Sequence, residues 1–346
     1  MTLDMLPGLV VRIMSVSTRT GTPERREVAM QDPRIRITHV GTYVPTRRVS
    51  NEDRLAEFGF DAEFLRKKLG IAMRAEKEPA EDTSDLCVAA FADIERRAKF
   101  SRSEIELCCV VTQNPDQKVP HTAAIVHHKL GLSKGCMTFD ISQGCAGYVH
   151  ALALASAMME RFGLKNALVF TSDPYSKIVD PNDKGTALIF GDAASVSLLS
   201  TSGAGYRLVD ATFGTEPGTT ECLHTRDGAL KMDGASVLFH ATHEVPASVR
   251  SLLAKNGKTL DDVGLVLLHP GSKRVVDLIR KSLQLDDAKV PFEIAEVGNT
   301  VSSSIPLVLQ QHVSRKKHDL LMLSGFGVGF SWGTCILQLQ NDEEKH

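Results

Sequence analysis

Three residues of this chain combine a reactive group with a local pattern that could aim it. They are Cys145 in Gly144-Cys145-Ala146, His269 at the end of the apolar run 263–268, and Asn299 in Gly298-Asn299-Thr300. A thiol behind a glycine, at the mouth of a helix, feels the positive end of the helix dipole, which favours the nucleophilic thiolate. The same turn leaves a backbone N–H to meet an oxyanion. An imidazole at the carboxyl end of a buried strand, followed here by Pro270-Gly271, lies where open α/β sheets place reactive groups. A carboxamide donates hydrogen bonds at any pH and never becomes an anion. Taken singly, each has an ordinary reading: a packing cysteine, a satisfied core histidine, a Gly-Asn turn.

What must position these groups is legible in the alternation of short apolar runs with longer amphipathic segments, the mark of an α/β protein. The pattern predicts strands over 35–40, 106–112, 136–140, 167–171, 195–199, 265–269, 319–323 and 335–339. It predicts helices over 51–58, 84–98, 122–130, 146–162, 243–255, 273–283 and 303–313, with Ser50 and Thr83 at N-cap positions. Within this alternation there is an echo. The stretch from Phe139 to Cys145 and the stretch from Phe292 to Asn299 both enter a glycine and one polar residue ahead of a helix. Each is preceded by an apolar strand and followed by a strand and a glycine-bearing turn, at Phe190-Gly191-Asp192 and Gly325-Phe326-Gly327. Matching Cys145 to Asn299 and Thr112 to His269 gives offsets of 154 and 157 residues (299 − 145; 269 − 112). So long a repeat implies two related halves facing each other rather than a solenoid. In that arrangement the thiol, imidazole and carboxamide converge on one pocket.

Composition sets the remaining bounds. At 346 residues the chain can bury one large core or two medium ones. A formal charge of −2 and a pI near 6.6 give no global reason to expect nucleic acid or a membrane surface as partner. Seven scattered cysteines without a CxxC pair fit reduced cytoplasmic thiols better than a disulfide framework or a zinc site. His127-His128 on a helix point apart, and neither they nor His240 and His243 have a ligand partner at metal spacing. No metal is expected. Residues 1–33 are too short an apolar stretch for a membrane span and lack a signal-peptide layout. They read as a disordered extension ahead of halves spanning 34–203, with the cysteine, and 204–342, with the histidine and asparagine.

Five segments in order carry a resemblance: Asp140-Ile-Ser-Gln-Gly-Cys-Ala-Gly-Tyr-Val149, Phe190-Gly-Asp-Ala-Ala194, His269-Pro-Gly-Ser-Lys-Arg274, Gly298-Asn-Thr300 and Gly327-Val-Gly-Phe-Ser-Trp-Gly333. With Val40-Gly-Thr-Tyr-Val-Pro45 they resemble the motifs of β-ketoacyl-[acyl carrier protein] synthase III over about residues 34–340. The resemblance implies a thiolase-like α/β fold of duplicated βαβαβαββ halves in a five-layered α-β-α-β-α core, and a homodimer. It also implies a Cys145–His269–Asn299 triad that condenses an acyl thioester with a malonyl thioester. No cofactor is implied beyond the CoA or phosphopantetheine of the substrates, which are acyl-CoA or acyl-ACP and malonyl-ACP. The backbone N–H groups of Cys145 and Val328 are expected to hold the oxyanion. Phe64, Lys68 and Lys184 are expected at the CoA mouth, and Arg274 and Lys273 at the carrier-protein face with Arg280 and Lys281. Val119 and Gln143 are expected to shape the acyl pocket. The sequence departs from the family at Pro270-Gly271-Ser272, where Gln-Ala-Asn is usual, and at Val328, where glycine is usual. Two other readings belong beside this one: acyl transfer to an alcohol or amine without decarboxylation, and an inactive partner subunit of a heterodimeric synthase.

Overall fold

The computed structural model describes residues 35–341. Contacts divide the chain into Met1–Pro33 and Arg34–His346; the expectation for residues 1–33 lies outside the described residues. The first strands and helices are β1 (Arg36–Tyr43), β2 (Arg47–Ser50), the single turn α1 (Ala62–Phe64), β3 (Met73–Glu76) and α2 (Thr83–Arg97). Then come β4 (Leu107–Val111), α3 (Thr122–Leu130), β5 (Met137–Ile141), α4 (Gly147–Phe162), β6 (Asn166–Ser172) and β7 (Ala194–Ser200). The later part supplies β8 (Gly205–Thr215), β9 (Leu223–Arg226), β10 (Ala229–Met232), α5 (Gly234–Lys255) and β11 (Leu265–Leu268). It closes with α6 (Lys273–Ser282), α7 (Ser304–Arg315), β12 (Leu320–Gly327) and β13 (Ser331–Gln340).

Nine strands are hydrogen-bonded in the order β11-β12-β13-β8-β1-β7-β6-β4-β5. Read outward from the centre, β1, β7, β6 and β4 match β8, β13, β12 and β11. The two sets meet at only two residue pairs, Arg36 with Arg207 and Ile37 with Tyr206. The parallel-paired strands β4 and β11 are buried at every residue, which is why they read as unbroken apolar runs. The edges differ. β5 is half-buried throughout, and β11 has no counterpart of β5 beyond it.

Three clusters of buried side chains define the layers. Leu86, Phe91 and Ile94 of α2 and Val126 of α3 pack on Val110, Phe170 and Val196 of the first strand set. Leu252 of α5 and Ile279 of α6 pack on Val266, Met322 and Ile336 of the second. Between the sets, Val149 and Leu152 of α4 and Ile305 and Leu309 of α7 touch both, from Leu107 and Val169 to Leu267, Leu323 and Leu337. The result is α-β-α-β-α, the five-layered arrangement of the thiolase-like fold.

Several local expectations are corrected. Residues 51–58 form two 3-10 turns, Glu52–Arg54 and Ala56–Phe58, rather than a helix. The cap of α2 is Asp82, not Thr83, in a reciprocal pair with Asp85. α5 begins at Gly234 rather than 243, because the Asp233 carboxylate captures the Ala235 and Ser236 N–H groups and outweighs poor helix formers there. The eleven residues of β8 were not anticipated; Arg207, Asp210 and Gly214 break the alternation, and ten residue pairs with β13 hold the strand.

Candidate active site

Cys145 sits where β5 turns into α4, behind Gly144 and Ala146, which is the N-cap. The turn has almost no spare room. A Cβ at Gly144 would stand 2.6 Å from Gln113 Oε1. On the other side β12 slides past the nucleophile because residues 325 and 327 are glycine. A Cβ at Gly325 would meet Cys145 O at 2.5 Å, and one at Gly327 would stand 3.0 Å from Cys145 Sγ. Burial pushes the thiol pKa well up, and the nearby Asp173 charge adds to the effect. The amino end of α4 pulls in the opposite direction.

His269 follows β11, held by its backbone N–H to Ser324 O at 2.8 Å. Burial pushes its pKa down to about 3, so the imidazole is neutral. Its ring meets the Phe326 ring at right angles, 5.6 Å between centroids. Nδ1 is buried with no hydrogen-bond partner. Asn299 is placed differently. Its N–H donates to Ile189 O at 2.9 Å and it bridges Phe190, across from the first strand set. Its Oδ1 accepts from the Val301 N–H at 2.9 Å. That bond fixes the carboxamide with its NH2 free.

The three groups line one cavity of about 500 Å3. They are nearly dry, with 4%, 2% and 4% of Cys145, His269 and Asn299 exposed. The walls are apolar, including Ile189, Phe190, Leu223, Met232, Val237, Leu238 and Val275. Phe64, Lys68 and Arg274 also line it. Phe64 stacks on Phe60 at 3.8 Å, and Lys184 Nζ stands 4.7 Å over the Phe60 ring, so Lys184 joins this group without lining the cavity. Lys273 turns away to Asp277 at 3.3 Å, and Arg280 pairs with Asp287 at 2.8 Å. Gln143, Val119 and Val328 do not line the cavity. Val119 is 82% exposed, and the Val328 side chain lies on the Gly144 side of the turn. Gly327, rather than Val328, is the residue of that turn facing the space above the thiol. Among the described residues no His, Cys, Asp or Glu cluster could hold a metal, and no helix is long and apolar enough to cross a membrane.

Sequence reasoning missed Phe326, whose only signal was an aromatic between two glycines at a strand end. It also missed Asp173 and Ser302. Asp173 follows β6 and accepts a hydrogen bond from the Ser302 hydroxyl at 2.5 Å. A serine run after Gly-Asn reads as turn chemistry, and nothing in it announces a buried partner 129 residues earlier.

The chain is similar to known proteins over most of its length. The family model described as 3-oxoacyl-[acyl-carrier-protein (ACP)] synthase III matches residues 139–217, and the model of its C-terminal part matches residues 253–339. The chain is 33% identical over 341 residues to a beta-ketoacyl-[acyl-carrier-protein] synthase III of Rhodopirellula baltica, covering 88% of this chain and 98% of that one. It is 32% identical to the protein of the same name in Neisseria gonorrhoeae, over 320 residues with the same coverage. The crystal structure of the Thermus thermophilus synthase III superposes with a TM-score of 0.82 at 29% identity, over 87% of this chain and 98% of that one.

Proposed function

We propose a mechanism from one premise: the chain belongs to the 3-oxoacyl-[acyl-carrier-protein] synthase III family, and so is a condensing acyltransferase. Cys145 Sγ attacks the carbonyl of an acyl thioester, its proton passing to His269 and on to the departing thiolate. The oxyanion is met by the Cys145 N–H and a backbone donor of the Gly327–Val328 turn. A malonyl thioester, carried by the acyl carrier protein, then enters. As its carboxylate leaves as CO2, the neutral His269 and the Asn299 NH2 donate to the developing enolate oxygen, and the carbanion attacks the acyl group on Cys145; the new C–C bond forms as the C–S bond breaks, and the expelled Cys145 thiolate takes up a proton. With nothing fixed at Nδ1, either nitrogen of His269 can hold the ring proton, so one imidazole serves both half-reactions. The edge of Phe326 keeps the leaving carboxylate dry. No bound cofactor enters the scheme, since each substrate brings its own thioester.

The observation that carries this reading is a carboxamide with its oxygen already occupied, beside a neutral imidazole and a thiol in one apolar cavity. Acyl transfer to an alcohol or amine would form no enolate for Asn299 to stabilise. An inactive partner would have no reason to keep the thiol, and rapid iodoacetamide labelling at Cys145 separates the two. The direct test is to incubate the protein with acyl thioesters of two, six and eight carbons, with and without malonyl carrier protein. Mass added at Cys145 and CO2 released are then measured. Acylation without CO2 release would overturn the condensation step. We expect acceptance of primers longer than acetyl, because the small Val119 leaves room if it projects into a partner's acyl site.

The homodimer belongs to this proposal as well. Its support is the half-buried edge strand β5 and the exposed Leu154 and Phe162 of α4, an apolar face with unpaired backbone groups. Carrier docking falls to Arg274, on the cavity wall, and to the face of α6 that continues through the exposed Leu278 and Lys281. Cytoplasmic residence fits the seven unpaired cysteines.

A further inference from the structure

Asp173 is fully buried, yet its carboxylate is held by hydrogen bonds at both oxygens. The Gln113 N–H donates at 2.6 Å and the Ser302 hydroxyl at 2.5 Å. The Ser302 N–H and the Thr112 hydroxyl lie near enough to oppose the upward push of burial on its pKa. Thr112 and Gln113 follow β4 in the first strand set, and Ser302 stands three residues beyond Asn299, so one side chain spans both. Each end of the span adjoins a turn that carries a reacting group. On the first side, the Gln113 carboxamide fills the space against Gly144 and accepts from the Tyr175 hydroxyl at 2.9 Å. On the second, Val301 lies between Asn299 and Ser302 with φ 54°, a left-handed conformation that costs a β-branched residue energy. Such a conformation persists only where its neighbours over-determine it. Here the Val301 N–H is held by Asn299 Oδ1 before it, and Ser302 is held by Asp173 after it.

We propose that Asp173 is a positioning residue that, through Ser302, holds the Val301 turn aiming the Asn299 carboxamide, and, through Gln113, sets that turn against the Cys145 turn. The inference rests on the reading of Asn299 as an enolate donor. A carboxylate suits the place because it offers only acceptors, and both groups bonded to it, the Gln113 N–H and the Ser302 hydroxyl, donate. Replacing it with asparagine turns an NH2 group toward at least one N–H or O–H and releases the turn.

The test separates the half-reactions: CO2 release from malonyl carrier protein without primer, and mass gained at Cys145 from an acyl thioester without malonyl. Asp173→Asn is expected to slow CO2 release about 10²-fold, the scale of a misplaced group, with KM for the malonyl substrate within about twofold and acylation within about tenfold. Ser302→Ala, which removes one donor, is expected to slow CO2 release about tenfold and to leave acylation intact. It carries the test should Asp173→Asn not fold. The double variant D173N/N299A should be no slower than N299A, because a residue acting through Asn299 has nothing left to aim. Wild-type CO2 release in both D173N and S302A, a double variant slowed by the product of the single effects, or equal loss in both half-reactions would overturn the inference. If N299A itself released CO2 at the wild-type rate, the donor reading would fail and take this inference with it. A slow N299A beside a fast D173N would remove the inference alone.

Discussion

At Cys145 a complete strand, β5, runs into a tight turn and a sixteen-residue helix. At Asn299 the equivalent stretch makes one bridge to Phe190, then a left-handed residue and a 3-10 turn, before α7 begins. The first turn is therefore placed by regular backbone and by glycines that let other chain segments close on it. The second is placed by side chains, Asp173 to Ser302 and Thr171 to Ser303 at 2.8 Å. Repetition supplied two similar strand-to-helix corners; what differs is how each corner is held. A nucleophile needs a fixed approach and an open side toward substrate, which backbone provides. A donor that must meet a charge only as it forms needs its carboxamide oriented, which calls for partners on its oxygen.

The sharpest way to break this comparison is to remove each corner's group and ask which half-reaction survives. Cys145→Ala should lower condensation by about 10⁴-fold or more, as loss of a covalent nucleophile does. CO2 release from malonyl carrier protein without primer should remain within about tenfold, since the second corner is intact. Asn299→Ala should do the reverse. CO2 release falls about 10²–10³-fold, the usual cost of one oxyanion donor, and acylation of Cys145 stays within a few-fold. If either variant lost both half-reactions equally, the corners would not be separate devices.

The pH dependence of stability tests the burial around the corners, because two buried titratable groups lie beside them. Burial moves the His269 pKa down to about 3 and the Asp173 pKa up to about 6. Between pH 3 and 6.5 the unfolded chain protonates at His269 more than the fold does, so this residue makes stability rise with pH. For Asp173 the fold holds the proton more tightly, so its contribution is full below the unfolded value near 4 and is lost as pH rises through about 6. Thermal melts from pH 4 to 7 should show a shallower rise for His269→Gln than for the parent, and a steeper rise for Asp173→Asn. Parallel curves for all three would show that neither group is buried as described. The smallest effect is expected outside the corners. Arg274→Glu should raise KM for the carrier-protein substrate about fivefold, mainly through slower association, and leave KM for a CoA thioester unchanged.

The first corner could be read from residues alone: a strand, a glycine, a thiol and a long apolar helix keep their periodicity because regular structure positions them. The five layers were legible only through resemblance, since periodicity does not say which faces meet. The second corner was legible in its residue types but not in its construction. Residues 292–299 echo a strand, yet what holds them is a few backbone hydrogen bonds, from Ala72, Met73 and Ala75 to Ala295 and Val297, and one bridge to Phe190. Asp173 was invisible because its partners come from two distant segments, at Gln113 and Ser302, and local pattern carries no record of such a meeting. Lys273 shows the other gap: a family position gives the residue, but an ion pair to Asp277 decides where the side chain goes.

The missing outer strand beside β11 has a consequence for assembly. The long sheet ends at β11 on one side and at β5 on the other, and the two ends are unlike: β11 is buried at all four of its residues, while β5 is half-buried throughout. A ribbon with two open ends can add copies without limit, as fibres do; one whose second end is covered can join its twin and then presents nothing more to extend. In the proposed homodimer, a contact through β5 would therefore end at a pair.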